Sequence, residues 1–245
     1  GASLVIETRG IGVEGKKGYI SVRSGVEIDW EENTNLTFHA NRDFFFEGGA
    51  SIQSRGPGSV EITADRSMAF GVTGVQGEGG ITANTGNITI AANGAGTATG
   101  SGSAIAILSS IATADGDILI TGRATETFGE GIVLGGAITA SGDGNIRLVG
   151  EGSGTGGRGI WLNESTSLLS SAGAVSSITL EANSLDLAAG SIQSPGDLII
   201  RPLASHSVIN LGAAAEDVGL QLTDAELGRL SSGFQSITIG TATLD

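Results

Sequence analysis

The sequence predicts an all-β chain: a right-handed parallel β-helix with three short strands per turn and one short C-terminal helix. Two observations carry this. The first is a returning phrase, two aliphatic residues one apart, set off by Gly or Asn and closed by a polar turn. It reads Val60-Glu61-Ile62, Ile88-Thr89-Ile90, Ile118-Leu119-Ile120, Ile146-Arg147-Leu148 and Ile178-Thr179-Leu180, with starts 28 to 32 residues apart. A repeat of that length marks a solenoid, in which each unit buries its apolar side only against its neighbours. The second is glycine, 42 of 245 residues against 3 prolines, when ~7% glycine is ordinary. No Gly-X-Y register holds, so collagen is excluded, and 39% hydrophobic residues in register argue against disorder. Glycine then serves tight corners between short strands.

Each turn carries three aliphatic strand signals. One turn runs Ile81, Ile88/Ile90 and Ile105/Ile107; the next Ile111, Ile118/Ile120 and Ile132/Leu134; the next Ile138, Ile146/Leu148 and Ile160/Leu162. Then come Leu168, Ile178/Leu180 and Leu185/Leu187, followed by Ile192, Leu198/Ile200 and Ile209/Leu211. Upstream, Ile28, Leu36/Phe38, Phe44/Phe46, Ile52, Val60/Ile62 and Met68/Phe70 belong to the same series. Alternation sends these residues to one face and those between them to the other. Handedness follows the right-handed crossover preference. Seven to eight turns at ~4.8 Å give a rod of roughly 35–40 Å. A sandwich of antiparallel hairpins ranks below this, because the repeat has three unequal corners and not alternating two-residue turns.

The corner after the middle strand is short at 40–43, 64–67 and 182–184. It swells in three consecutive turns, at 92–103, 122–131 and 150–159. Stacking places these Gly/Ser/Thr-rich loops on one side, either as a binding face or as drift in solvated corners. Near the C-terminus, Leu220-Gln221-Leu222 leads into Thr223-Asp224-Ala225-Glu226. This is a capping box, Thr223 capping the start and Glu226 reaching back. The spacing predicts a helix of two to three turns, with Leu227 and Leu230 on one face and Gly233 as the stop. It lids the core or offers a surface to a partner. The chain divides into N-terminal irregular coils over 1–35, regular coils over 36–215, and a helix with a terminal strand over 216–245. The last part is a cap or an interruption of the coil.

The balance of 12 basic and 26 acidic residues, net charge −14, disfavours nucleic acid or an anionic membrane as a partner held by bulk charge. The absence of cysteine excludes disulfides, thiolate catalysis and Cys-bound metal. No apolar run approaches the ~20 residues of a membrane span. No signal peptide opens the chain, and Gly1-Ala2-Ser3 reads as the edge of an excised segment.

Most chemical motifs dissolve on inspection. Gly10-x-Gly12-x-x-Gly15 matches a dinucleotide fingerprint, and Gly10 to Lys16 nearly matches a phosphate loop. Both need a helix directly after the glycines. The next segment is instead the strand-like GYISV over 18–22, with Lys17 where Ser or Thr belongs. Gly152-x-Gly154-x-x-Gly157 matches by the same accident of composition. His39 and His206 fall in different turns and read as solvated. Asp115-Gly-Asp117 and Asp143-Gly-Asn145 lack the calcium nonapeptide and the EF-hand pattern, so they read as turns and no metal is assigned. A glycan-cleaving site needs clustered carboxylates on one groove. The outward row of the middle strand instead reads Thr37, Glu61, Thr89, Leu119, Arg147, Thr179, Ile199, with no stacked carboxylates and no flat Thr ladder for ice. No catalytic residue and no cofactor are assigned.

The outward row of the third strand differs: Phe45, Ala69, Ala106, Val133, Trp161, Asp186. It is mostly apolar, with a large aromatic near each end. Such a strip marks a contact surface or lies under a loop, the helix or a flanking domain. Exposed aromatics stack on sugar rings and anchor protein partners. Phe45, Trp161 and Val133 are the candidate binding residues.

Two stretches resemble the repeats of large bacterial surface adhesins of the filamentous haemagglutinin type, exported by two-partner secretion. GVEIDW at 25–30, NLTFHANRD at 35–43 and GGASI at 48–52 are similar to that family's IxW…TxLTLxAxRdI…GxI coil. LTDAELGRL at 222–230 with ITIG at 237–240 resembles a strand–helix–strand unit of long repeat-rich secreted proteins. As a pattern the likeness spans most of the chain, but β-helix repeats converge. The NPNG-like motif of the family's secretion domain is missing. The resemblance implies a shaft or receptor-facing piece of a secreted, cell-surface adhesin serving cell adhesion and virulence. A host-cell or surface receptor, including a glycan, and an outer-membrane transporter for export would be its partners. A carbohydrate-active β-helix lyase or hydrolase and a ligand-free spacer stay open beside it.

Overall fold

The computed structural model describes residues 3–8, 18–70, 79–92, 102–124, 129–153, 157–165, 168–187, 189–203, 208–212, 219–230 and 233–240. Most strands stack into three parallel sheets around one core, and Ile209–Leu211 and Leu220–Leu222 form a fourth, two-stranded parallel sheet. Sheet A has nine strands in chain order, from Ser3–Thr8 to Ser236–Ile239. Sheet B has seven, from Ile20–Val22 to Leu185–Asp186, and sheet C seven, from Glu27–Trp30 to Ser191–Gln193. Through Ser191–Gln193 each turn gives one strand to each of sheets A, B and C, so sequence neighbours lie in different sheets and strands one repeat apart pair. The chain is a parallel β-helix, as the repeat predicts. No helix among the described residues is long and apolar enough to cross a membrane.

Register follows from which residues must be dry. In sheet A, Leu36, Val60, Ile88, Ile118, Ile146, Ile178 and Leu198 are successive Cα partners, and so are Phe38, Ile62, Ile90, Ile120, Leu148, Leu180 and Ile200. All are buried. A slip of one residue would turn both rows to solvent. Sheet B adds Phe44 and Phe46, Met68 and Phe70, then Ile105 and Ile107, all fully or almost fully buried. Phe38, Phe44, Phe46 and Phe70 pack at ring-centroid distances of 5.5 to 6.0 Å. The core is therefore aromatic in its early turns and aliphatic afterwards.

The corners stack as regularly as the strands. Between sheets C and A, a Cβ on Gly86, Gly116 or Gly144 would overlap the carbonyl oxygen of Gly58, Gly86 or Gly116 respectively. Beside this glycine stack runs a polar ladder. Asn35 Oδ1 accepts from the Ser59 N–H, Ser59 Oγ from Asn87, Asn87 Oδ1 from Asp117, Asp117 Oδ1 from Asn145, and Asn145 Oδ1 from Ser177, all at 2.8 to 3.1 Å. The Asp-Gly corners at 115–117 and 143–145 are thus rungs of a backbone-capping ladder. Charge follows the same one-turn spacing. Arg23 pairs with Glu47, Arg55 with Asp29, Arg66 with Asp43, Arg123 with Glu151, Arg147 and Arg201 with Glu181, and Arg158 with Asp186.

Three details differ from the sequence-based expectation. Leu169, not Leu168, is the fully buried partner of Ile138; adjacent leucines fit the alternation equally well, and closing the corner decides between them. Ile209 and Leu211 stay partly exposed, while their partners Leu220 and Leu222 fill the core beside Leu185–Asp186. The helix is one turn, Asp224–Leu227, with its capping box intact. Gly228 ends it rather than Gly233, because Leu230 is drawn into a parallel bridge with Ile192 and extends sheet C.

Candidate functional site

Alternation in sheet B forces one residue of each strand outward. The register places Ser21, Phe45, Ala69, Ala106, Val133, Trp161 and Asp186 in one file. All three candidates therefore share a file, as expected. Val133 and Trp161 are adjacent partners, and Phe45 stands four rungs from Trp161, ~19 Å away.

Their surroundings differ. Phe45 is 37% exposed and meets Tyr19 edge-to-face, with ring centroids 6.2 Å apart and planes at 69°. Tyr19 is itself exposed. This is an aromatic pair open to solvent. Trp161 is half-buried, with the Arg158 guanidinium 4.2 Å from its ring centroid. That geometry is a cation–π contact. Arg158 is fixed by Asp186, whose Oδ2 lies 2.6 Å from its Nε, and lies 3.7 Å from Glu130. Ser103 Oγ donates to Glu130 at 3.3 Å. One arginine between two carboxylates makes a polar lip beside the indole. Val133 is only 7% exposed. The strip is therefore not a continuous open apolar band: it has an aromatic pair at one end, an aromatic–ionic cluster at the other, and small or covered residues between.

Sequence reasoning missed Tyr19, Arg158 and Glu130. Tyr19 directly precedes the first sheet B strand, and Arg158 is a lone cation within Gly156-Gly157-Arg158-Gly159, just ahead of Trp161; those were the available signals. The swollen corner here is partly described. Its neck is pinched at Gly150, where a Cβ would overlap the Gly159 carbonyl. From the next turn, Asn183 Oδ1 accepts from the Gly152 N–H at 2.9 Å and its Nδ2 donates to the Gly152 carbonyl at 2.7 Å, while Ser184 Oγ accepts from Gly159 at 3.0 Å. The segment that positions Arg158 is thus anchored by its neighbours.

On sheet A the outward row has the predicted order, Glu61 between Thr37 and Thr89 and Arg147 between Leu119 and Thr179. Glu181, nearly buried, accepts from a single Arg147 nitrogen through both carboxylate oxygens, at 2.9 and 3.0 Å, and pairs with a second arginine, Arg201. His39 is half-buried, its Nδ1 2.7 Å from Thr63 Oγ1, so it belongs to a local pair and is not freely solvated. His206, most of the residues at 92–103, and the glycine motif at 10–15 lie outside the described residues. Comparison with family models, curated proteins and solved structures finds no match.

Proposed function

We propose that this chain is a segment of a secreted bacterial surface adhesin. It acts as a rigid rod that holds distance and contacts a host-cell or surface partner, possessing no catalytic role. The observation carrying this reading is the sheet B file, with Tyr19 and Phe45 near one end and Trp161 with Arg158, Asp186 and Glu130 near the other. Planar rings beside fixed donors and acceptors suit sugar rings with hydroxyls, or an aromatic anchor on a protein. Stiffness comes from parallel ladders and turn-to-turn ion pairs, each layer held by the next. Export through an outer-membrane transporter belongs to the same proposal and rests on the resemblance of the coils.

Replacing Phe45 and Trp161 together by Ser tests it. The double variant should lose retention on a glycan array or adhesion to host cells while keeping its β-sheet circular dichroism. Undiminished binding by a folded variant discards the strip. Turnover of polysaccharide by the unmodified chain would replace the reading with a carbohydrate-active enzyme.

A further inference from the structure

Basic residues are outnumbered in this chain, 12 against 26 acidic, yet on the outer face of sheet A two arginines share one carboxylate. Arg147 Nη2 donates to Glu181 Oε1 and Oε2 at 3.0 and 2.9 Å, and Arg201 Nη2 also pairs with Oε1. Both guanidiniums thus converge on one oxygen. The Glu181 side chain is 10% exposed, whereas those of Arg147 and Arg201 are 50% and 40% exposed. Two open cations therefore stand over one nearly covered anion. Asp43 also meets two arginines, Arg42 and Arg66, but both are less exposed and Arg42 has a further partner. At Trp161 the ratio is reversed, with Arg158 between Asp186 and Glu130.

The surroundings of this trio are apolar. Register sets Leu119 beside Arg147, Val149 beside Glu181 and Ile199 beside Thr179. Alternation turns these residues outward, because Ile120, Leu148, Leu180 and Ile200 fill the core. Leu119, Val149 and Ile199 are each half-buried, so they form a low aliphatic floor around the charges. Each arginine reaches Glu181 through one terminal nitrogen. Among the described residues, its Nε and other terminal nitrogen meet no protein acceptor.

We propose that Arg147 and Arg201 bind the carboxylate of an acidic sugar carried on an otherwise uncharged glycan. A second carboxylate on the solvent side of the guanidiniums completes an alternating set of two cations and two anions. Planar forks of N–H donors match the two oxygens of a carboxylate. The aliphatic floor receives the apolar face of the sugar ring and weakens competition from water. Charge restricts the ligand further. The trio offers one net positive charge on a chain of −14, so one carboxylate is attracted locally while a polyanion is repelled by the rest of the surface. Arginines this exposed hold a free acid weakly, so the carboxylate needs a body that lies on the sheet. A protein partner would have to bury ~1,000 Å² around the pair, whereas a sugar needs only the ring beneath its carboxylate. The site lies on sheet A and is independent of the role of Phe45 and Trp161 on sheet B.

Two probes carry one carboxylate on a neutral disaccharide, sialyllactose and glucuronosyl-lactose. Titrated into isotope-labelled protein, at least one should give saturable NMR shifts at the backbone amides of 147–149, 179–181 and 199–201. Lactose and acetate should each bind about tenfold more weakly or worse, and added salt should weaken the acidic sugar. Arg147→Gln and Arg201→Gln each leave Glu181 one arginine, and each should weaken the acidic sugar by about tenfold. The shift map on the parent chain decides the matter even where a variant folds poorly. No saturable shift, shifts that map elsewhere, or lactose or acetate bound as tightly as the acidic sugar overturns the proposal. So does an affinity that both arginine variants keep, or tighter binding of an otherwise neutral peptide bearing one glutamate.

Discussion

The carboxylate of Glu226 accepts the backbone N–H of Leu187 at 3.0 Å, although 39 residues separate them. The same carboxylate accepts the N–H and hydroxyl of Thr223, each at 2.9 Å, which completes the capping box. One nearly buried side chain thus caps its own helix and the end of sheet B. Glu226→Ala strands the Leu187 and Thr223 amides and should cost ~1–3 kcal/mol. Glu226→Gln keeps an acceptor and should lose less. Urea unfolding midpoints compare them; equal midpoints for alanine and parent would show that the cap holds nothing.

Asp43 is 4% exposed at the corner between sheets A and B. It receives Arg66 through both Nε and a terminal nitrogen, and Ser67 Oγ at 2.8 Å. A carboxylate so dry needs these donors, since desolvation is not recovered by one charge contact alone. Arg66→Ala should destabilise by ~2–4 kcal/mol, the lower end reflecting the solvent that reaches Arg66. Asp43→Asn with Arg66 intact should cost less, because it removes the buried charge itself. A double-mutant cycle by thermal unfolding measures the coupling, and additivity would refute it.

Gly116 is held by its neighbour in the stack. A Cβ there would overlap the Gly86 carbonyl, and the Gly116 N–H donates to Thr113 Oγ1 at 3.0 Å. Gly116→Ala should therefore cost ~2–3 kcal/mol by forcing the corner apart. Gly228 ends the helix in ordinary right-handed conformation, and a Cβ there would come no closer than 3.2 Å to its nearest neighbour, the Asp224 carbonyl. Gly228→Ala should leave the unfolding midpoint nearly unchanged, and equal losses at both sites would refute the stacked corner.

The strand rows were legible because burial imposes period two within a strand and the repeat imposes its spacing between strands. Where two solutions satisfy that period, local pattern does not choose: Leu168 against Leu169, and Ile209/Leu211 against Leu220/Leu222. The capping box was legible because it is local. The helix length was not, because Leu230 leaves the helix for a bridge with Ile192. The polar residue ahead of each aliphatic pair was visible, but its job of capping the next turn's amide exists only once turns are stacked. In the candidate site the outward file followed from alternation, while Arg158 over Trp161 depends on the path of a glycine-rich corner that no periodicity encodes.

Glu47 gives the fold a built-in acid sensitivity. Its carboxyl sits below its ordinary value of 4.5, first because the Ser24 N–H donates to it at 3.0 Å and then because Arg23 pairs with it at 2.5 Å, with partial desolvation opposing both. The folded state therefore holds this proton less tightly than the unfolded chain. The resulting stabilisation is fully present above the unfolded value and is lost as pH falls through the folded one. Glu47→Gln removes that dependence. Unfolding midpoints of parent and variant, followed from about pH 7 to about pH 3, should stand apart near neutrality and converge toward acid. A gap that stays constant across the range, or widens on acidification, would contradict the assignment.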